Sequence, residues 1–461
     1  MTLQSRLVKM PRTTDNNCGN FQIEKDLIPD FELIANKKIS RLISEDNPNL
    51  LIFPNDLSKT GDKISEKCIF TLDDTKLTTG NIMGFIGVND SQITIHSRFE
   101  KNDNDNFLYY MLQKVFSINL FDFKHGKDNK SIFDFLLYLF PHYLKKALRQ
   151  GLYKEYHKQD YNDSNVRGTI DINRHLRKNV PFMGNVAYRV REHSYDNNIT
   201  QLIRHTIEVI SQNKFAQGIL DLDSETQNCV RGIIQITPSY KYRKRIAIIN
   251  KNIKPFSHPY FFEYKALKKI CIQILRYEGL KYGKEKDKIY GLLFDGAWLW
   301  EEYLNTFLVK CGFNHPQNNV SKDPIYLFKN PDKYKRYPDF WKKNFILDAK
   351  YKRLAEFQKD NRNDMNQIIS YMYVKKAKIG GFIFPSDNDK LRPWKLTIGQ
   401  LNGYEGGVNI WALSIPQQIG DFTDFCGRMK ENEKIMMDLI NEPEDEAFPT
   451  NPSHDYSTKL H

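Results

Sequence analysis

"YPDFWKKNFILDAKYKR", residues Tyr337 to Arg353, decides the fold of the C-terminal region. It places Asp348 and Lys350 on an otherwise apolar strand, with a second acid, Asp339, across a short turn. A two-residue turn at Lys342-Lys343 pairs Phe345 to Tyr351 with Tyr337 to Trp341 and sets Asp339 opposite Ile346. Side chains alternate along a strand, so Ile346, Asp348 and Lys350 share one face, and this register adds Asp339. Two carboxylates on one face repel unless positive charge lies between them, and hard oxygen donors suit Mg²⁺ or Mn²⁺. Such an ion would hold a phosphodiester oxygen and lower the pKa of a water, with Lys350 orienting that water or offsetting transition-state charge. The spacing is short enough to recur by chance. The competing reading is a surface hairpin with ion pairs. Burial of "FILDAKY" would favour the site, because unpaired charge is costly away from water.

Neighbouring segments extend the constellation. In "AWLWEEYLNTFL" helical spacing puts Glu301 on a face with Ala297, Leu304 and Leu308, which makes it a further candidate metal or water contact. An acid at the edge of the core is the alternative. In "NQIISYMY" Gln367 and Tyr371 share a helical face, suited to touching the site or to packing. Nine lysines and arginines lie between Lys329 and Arg353, a density suited to drawing in a polyanion. Lys335, Arg336, Lys342, Lys343, Lys352 and Arg353 are the candidate nucleic-acid contacts among them.

The whole chain of 461 residues carries 68 Lys and Arg against 56 Asp and Glu, a net charge of +12. That length exceeds a single core and implies two or three domains. The basic balance favours an anionic partner, with a lysine-rich proteome as the bland alternative. Six scattered cysteines without C-x-x-C spacing are expected to be reduced, mostly buried thiols. The N-terminus lacks an apolar signal region and no apolar run is long enough to span a bilayer, so the expectation is a cytoplasmic protein without a membrane partner.

Residues 1–130 read as a β-rich N-terminal domain, with "IMGFIGVNDSQITIHSRF" as its clearest hairpin. Residues 131–290 read as a mainly helical middle domain and 291–440 as a C-terminal α/β domain, with a helix beginning soon after Gly291. The tail 441–461 reads as disordered, and "FKHGKDNK" as a boundary. "YKYRKR", Tyr240 to Arg245, is either a phosphate-binding cluster or a solvated run. "VRGTIDINRHLRKN" contains Arg167, Arg174, Arg177 and Lys178; a strand-to-helix turn with exposed basic residues is slightly favoured over a DNA contact. There is no G-x-x-x-x-G-K-[ST], no H-E-x-x-H, no G-x-S-x-G, and no ligand-spaced histidine pair.

Pro338-Asp339 followed by Asp348-Ala349-Lys350 resembles the PD-(D/E)xK nuclease superfamily. The wider chain, through "HSYDNNITQLIRHTI", "LWEEYL", "DAKYKR" and "QIISY", resembles the McrC family, the nuclease subunit of McrBC-type restriction systems that are 5-methylcytosine-specific or related. The resemblance implies an α+β multidomain protein ending in a restriction-endonuclease-like domain, a central mixed sheet flanked by helices. It implies Asp339, Asp348, Lys350, Glu301 and Gln367 as site residues, Mg²⁺ or Mn²⁺ as cofactor, and double-stranded DNA as substrate. It also implies a McrB-like AAA+ GTPase hexamer as partner, with GTP entering only through that subunit, and the N-terminal region as the part that docks. A stand-alone repair or recombination nuclease and a non-catalytic DNA-binding, GTPase-activating scaffold are the alternatives.

Overall fold

The computed structural model describes residues 11–43, 50–54, 64–89, 91–101, 105–116, 132–213, 216–254, 256–280, 289–316, 324–329, 332–388 and 392–442. The chain is a mixed α/β protein that divides into two compact units. One joins Met1–Lys124 with Lys286–His461, and the other is His125–Glu285.

In the first unit, the apolar segments of the N-terminal region build a five-stranded sheet. Its spatial order is Arg12–Thr14, Ser91–His96, Ile82–Val88, Ile289–Asp295, Leu50–Phe53. The expected hairpin is there: Ile82–Val88 pairs antiparallel with Ser91–His96, and Asn89 takes the left-handed conformation (φ 53°) that asparagine tolerates. A core of Ile34, Ile39, Phe70, Leu77, Ile86, Ile93, Ile95 and Leu293 underlies it.

One strand of this sheet was not foreseen. "IYGLLFD" pairs antiparallel with Ile82–Val88 and parallel with Leu50–Phe53, so the helix expected just after Gly291 starts only at Gly296, capped by Asp295 accepting from Ala297 N at 3.0 Å. Strands covered on both faces read as continuous apolar runs, which periodicity cannot separate from buried helix. The expected division at 290/291 cuts through this strand. Gly84 opposite it has φ +124°, and a Cβ there would lie 2.2 Å from the Leu292 carbonyl oxygen. Only glycine lets the strands approach this closely.

The same unit contains the C-terminal sheet, in the order Phe340–Lys342, Phe345–Ala349, Ile379–Ser386, Gly407–Ser414, Trp394–Gln400. The central three strands are parallel and the outer two antiparallel to their neighbours. Helix Arg362–Lys375 connects two parallel strands and packs on them, burying Ile368, Tyr371 and Met372 against Ile346, Phe382 and Phe384. Gly296–Leu308 packs against Phe345–Ala349, and Phe422–Asn441 against Gly407–Ser414. The tail beyond Glu442 and the "FKHGKDNK" segment lie outside the described residues.

The second unit packs helices Ile132–Leu148, Asn198–Gln212, Ser224–Ile236 and Tyr264–Leu280. It also holds an antiparallel sheet of Glu155–Asp163, Val186–Ser194 and Thr169–Ile170. In the "VRGTIDINRHLRKN" turn, Arg174 is structural: it pairs with Asp160 at 2.6 Å and donates to the Tyr161 and Tyr188 carbonyls at 2.7 and 2.6 Å.

All six cysteines are free, yet only Cys271 and Cys426 are buried, Cys18 being exposed and the rest half-buried. The expectation of mostly buried thiols is corrected accordingly. Among the described residues no helix is long and apolar enough to cross a membrane.

Candidate active site

The opening segment forms a hairpin in a register two residues away from the expected one. The turn falls on Lys343-Asn344, and Phe340 pairs with Leu347, Trp341 with Ile346, Lys342 with Phe345. Asn344 supplies the left-handed residue (φ 63°) that the turn needs, a conformation costly for Lys343. A slip of two preserves the faces, since side chains repeat every second residue. It brings Asp339, just before its strand, level with Asp348 instead of Ile346.

Asp348 is buried within the sheet. Its Oδ2 lies 2.6 Å from Lys350 Nζ; beyond that ion pair this oxygen accepts no hydrogen bond. Asp339 Oδ2 accepts from Ala349 N at 2.7 Å, which ties the turn to the strand. Burial, reinforced by the charge of Asp348, pushes the Asp339 carboxyl up to about 8, even with Lys350 nearby pulling the other way. Burial alone would lower the Lys350 ammonium, but Asp348 and Asp339 together hold it above the ordinary lysine range.

Glu301 faces the same cluster. Its side chain keeps 32% of its surface, but desolvation of the carboxyl and the charges of Asp339, Glu302, Asp348 and Asp295 raise it well above the usual range. The partial exposure weakens the first cause; the four acids push in one direction regardless. Gln367 donates from Nε2 to Tyr371 OH at 2.7 Å. Burial sends that phenol up to about 12, with Asp348 and Asp339 adding to the rise against the Gln367 hydrogen bond. Glu301, Asp339, Asp348 and Lys350 therefore converge on one end of the sheet, and Gln367 is linked to them through Tyr371.

Two further residues belong to the cluster and escaped the sequence. Asp364, in the first turn of Arg362–Lys375, lies 2.9 Å from Lys350 Nζ and 2.5 Å from Lys352 Nζ. His315 stacks on Phe340, with Nδ1 2.8 Å from the Asp339 carbonyl oxygen and 3.7 Å from Glu301 Oε1. Nothing in the spacing of "GFNHPQ" points to this. Lys352 and Asp364, 12 residues apart in the chain, carried a signal only as opposite charges.

The candidate nucleic-acid contacts divide. Lys335, Arg336 and Lys343 are exposed. Lys342 instead lies over Phe313 and 3.0 Å from Asn441 Oδ1, and Lys352 is held by Asp364. Arg353 donates to the Arg98 carbonyl at 3.1 Å while half of its side chain stays in solvent.

The donor set consists of carboxylate oxygens with one buried lone oxygen, and burial, reinforced by mutual repulsion, raises two of the acids. That chemistry fits a hard divalent cation. Among the described residues no three His, Cys, Asp or Glu side chains are drawn together tightly enough to hold a metal as arranged. Lys350 instead sits against Asp348 as the local counter-charge.

The family described as McrBC 5-methylcytosine restriction system component matches residues 77–385. The chain belongs to this family. Comparison with curated proteins gives no match. Among solved structures, a chain of a half-complex of Thermococcus gammatolerans McrB AAA+ hexamers with bound McrC is similar at 15% identity and TM-score 0.49, over 94% of this chain and 100% of that one. A chain of the Thermococcus gammatolerans McrBC complex is similar at 14% identity and TM-score 0.33, over 67% of this chain and 90% of that one.

Proposed function

We propose that this protein is the metal-dependent DNA endonuclease subunit of a McrBC-type restriction system, with its C-terminal domain of the PD-(D/E)xK type. The observation that carries the reading is the meeting of Asp339, Asp348, Lys350 and Glu301 at one end of a mixed sheet, in a member of this family. Asp339, Asp348 and Glu301 are the residues that would hold Mg²⁺ or Mn²⁺. A divalent ion bound there supplies positive charge to the scissile phosphate and acidifies water. Lys350 contributes a fixed ammonium able to stabilise charge on a pentacovalent phosphate. Gln367 and Tyr371 form a polar wall beside it, and Lys335, Arg336 and Lys343 are free to meet backbone phosphates without reading sequence.

Membership in a two-component family supports a McrB-like AAA+ GTPase hexamer as partner, with GTP used by that subunit. Docking through residues 1–130 is part of the proposal. Deleting them would remove four strands of the sheet that includes Ile289–Asp295, so docking is better tested by surface substitutions.

The test is cleavage of double-stranded DNA by the purified protein with and without the partner GTPase, GTP and Mg²⁺. Cleavage requiring all three supports the proposal. Efficient cleavage with Mg²⁺ alone supports a stand-alone nuclease, and restriction that survives loss of Asp348 supports a scaffold.

A further inference from the structure

The second unit carries a basic and aromatic surface that the nuclease site does not use. "YKYRKR" forms an exposed turn: Lys241, Tyr242, Arg243 and Lys244 are exposed, leading into helix Arg245–Lys251. Among the described residues no carboxylate pairs with Lys241, Arg243 or Lys244. Three uncompensated cations within four residues make a local field that only an external anion can neutralise.

Beneath the turn lies a polar floor. Arg204 uses Nη2 to pair with Glu208 at 2.7 Å, while its Nε and Nη1 are buried without hydrogen-bond partners. Next to it His205 is fully buried and neither ring nitrogen has a partner. Tyr240 covers both, its ring 5.0 Å from the Arg204 guanidinium and 4.6 Å from the imidazole. Buried donors left unpaired are costly and rare, and each calls for an explanation. Here they lie under Tyr240, at the start of this basic turn.

We infer that Tyr240–Arg245, with Arg204 behind it, is a second DNA-binding surface that takes backbone phosphates. It rests on the proposed function in taking DNA as the ligand. Lys241, Arg243 and Lys244 meet phosphates, and Tyr242, more than half exposed, lays its ring against a sugar or base. Such interactions raise affinity for any sequence and do not specify one.

The test uses the full chain carrying Asp348→Ala, so that DNA is bound and not cut. Binding of fluorescein-labelled double-stranded DNA is followed by anisotropy across a salt series, with and without Lys241→Ala, Arg243→Ala and Lys244→Ala together. The expected result is several-fold weaker binding to every sequence, and a salt dependence shallower by about 0.9 for each phosphate that the variant no longer neutralises. Arg243→Glu alone should weaken binding in the same direction, with an unchanged circular dichroism spectrum in both variants. Unchanged affinity and slope would overturn the inference. So would intact DNA binding with lost binding to the partner GTPase, which would assign the patch to an acidic protein surface. Displacement of DNA by inorganic phosphate, but not by chloride at equal ionic strength, would assign it to free phosphate and also overturn it. Binding through this patch by a wild type that never cuts DNA would refute the nuclease reading alone.

Discussion

The Lys350 ammonium lies 2.6 Å from Asp348 and is held on its other side by Asp364 at 2.9 Å. The lysine is thus clamped between the strand that precedes it and the helix that follows. Asp364 also binds Lys352, so each of its carboxylate oxygens faces an ammonium. Replacing it by Asn keeps the shape and removes the charge. Asp364→Asn should lower the DNA cleavage rate by about 10–100-fold, the usual cost of losing an outer partner of a site. The loss should be in kcat with little change in KM, measured by steady-state cleavage with the partner GTPase. An unchanged kcat would remove Asp364 from the positioning role.

The acid cluster predicts a pH effect of definite sign. Asp339 titrates near 8 in the folded protein and near 3.8 in the unfolded chain, so between those values the folded state binds more protons. Stability from this group is fully present below about pH 4 and is lost as pH rises through 8. Without divalent metal, Tm should fall across this window, and Asp339→Asn should flatten the profile. Mg²⁺ should flatten it too, by supplying the missing positive charge. Differential scanning calorimetry at several pH values checks all three, and identical slopes for wild type and variant would contradict the account.

A buried ion pair within the N-terminal region backs the segment that follows the site strand. Arg98 bonds Asp15 through Nε at 2.9 Å, Nη2 at 2.6 Å and its backbone N at 2.7 Å, and its guanidinium lies over the Tyr351 ring. Tyr351 OH in turn lies 2.8 Å from Ser97 Oγ. Arg98→Met would leave the buried Asp15 carboxyl without its cation, a loss of about 3–5 kcal/mol. Tyr351→Phe removes one buried hydrogen bond and should cost about 1 kcal/mol. Urea unfolding measures both, and equal costs for the two would argue against the buried pair as the stronger tie.

These ties show what the sequence could and could not reveal. Asp339, Asp348 and Lys350 were legible because strand alternation is a local rule, and a turn one residue further on, which shifts the register by two, left them on one face. The turn itself was missed because Asn344, not the lysine pair, tolerates the left-handed backbone. "IYGLLFD" carried no periodic signal because both of its faces are covered. Asp364 and His315 reach the site through tertiary packing, and Ser97 meets Tyr351 across 254 residues. No spacing rule spans such distances.

Gly84 offers a separate check on the sheet that joins the two chain segments of the first unit. Gly84→Ala would place a methyl group 2.2 Å from the Leu292 carbonyl oxygen at a φ that alanine avoids. Overpacking of this kind costs about 1–3 kcal/mol before backbone strain is added. A drop in the urea midpoint should follow, and a neutral substitution would mean that Ile289–Asp295 does not pair where it is placed.

In the proposed function, phosphodiester cleavage depends on Asp348. The most direct measurement is DNA cleavage by wild type and by Asp348→Ala, each with the partner GTPase, GTP and Mg²⁺, alongside GTP hydrolysis in the same reactions. Asp348→Ala should abolish cleavage and leave stimulated GTP hydrolysis intact. Cleavage at the wild-type rate by Asp348→Ala would contradict the proposed function.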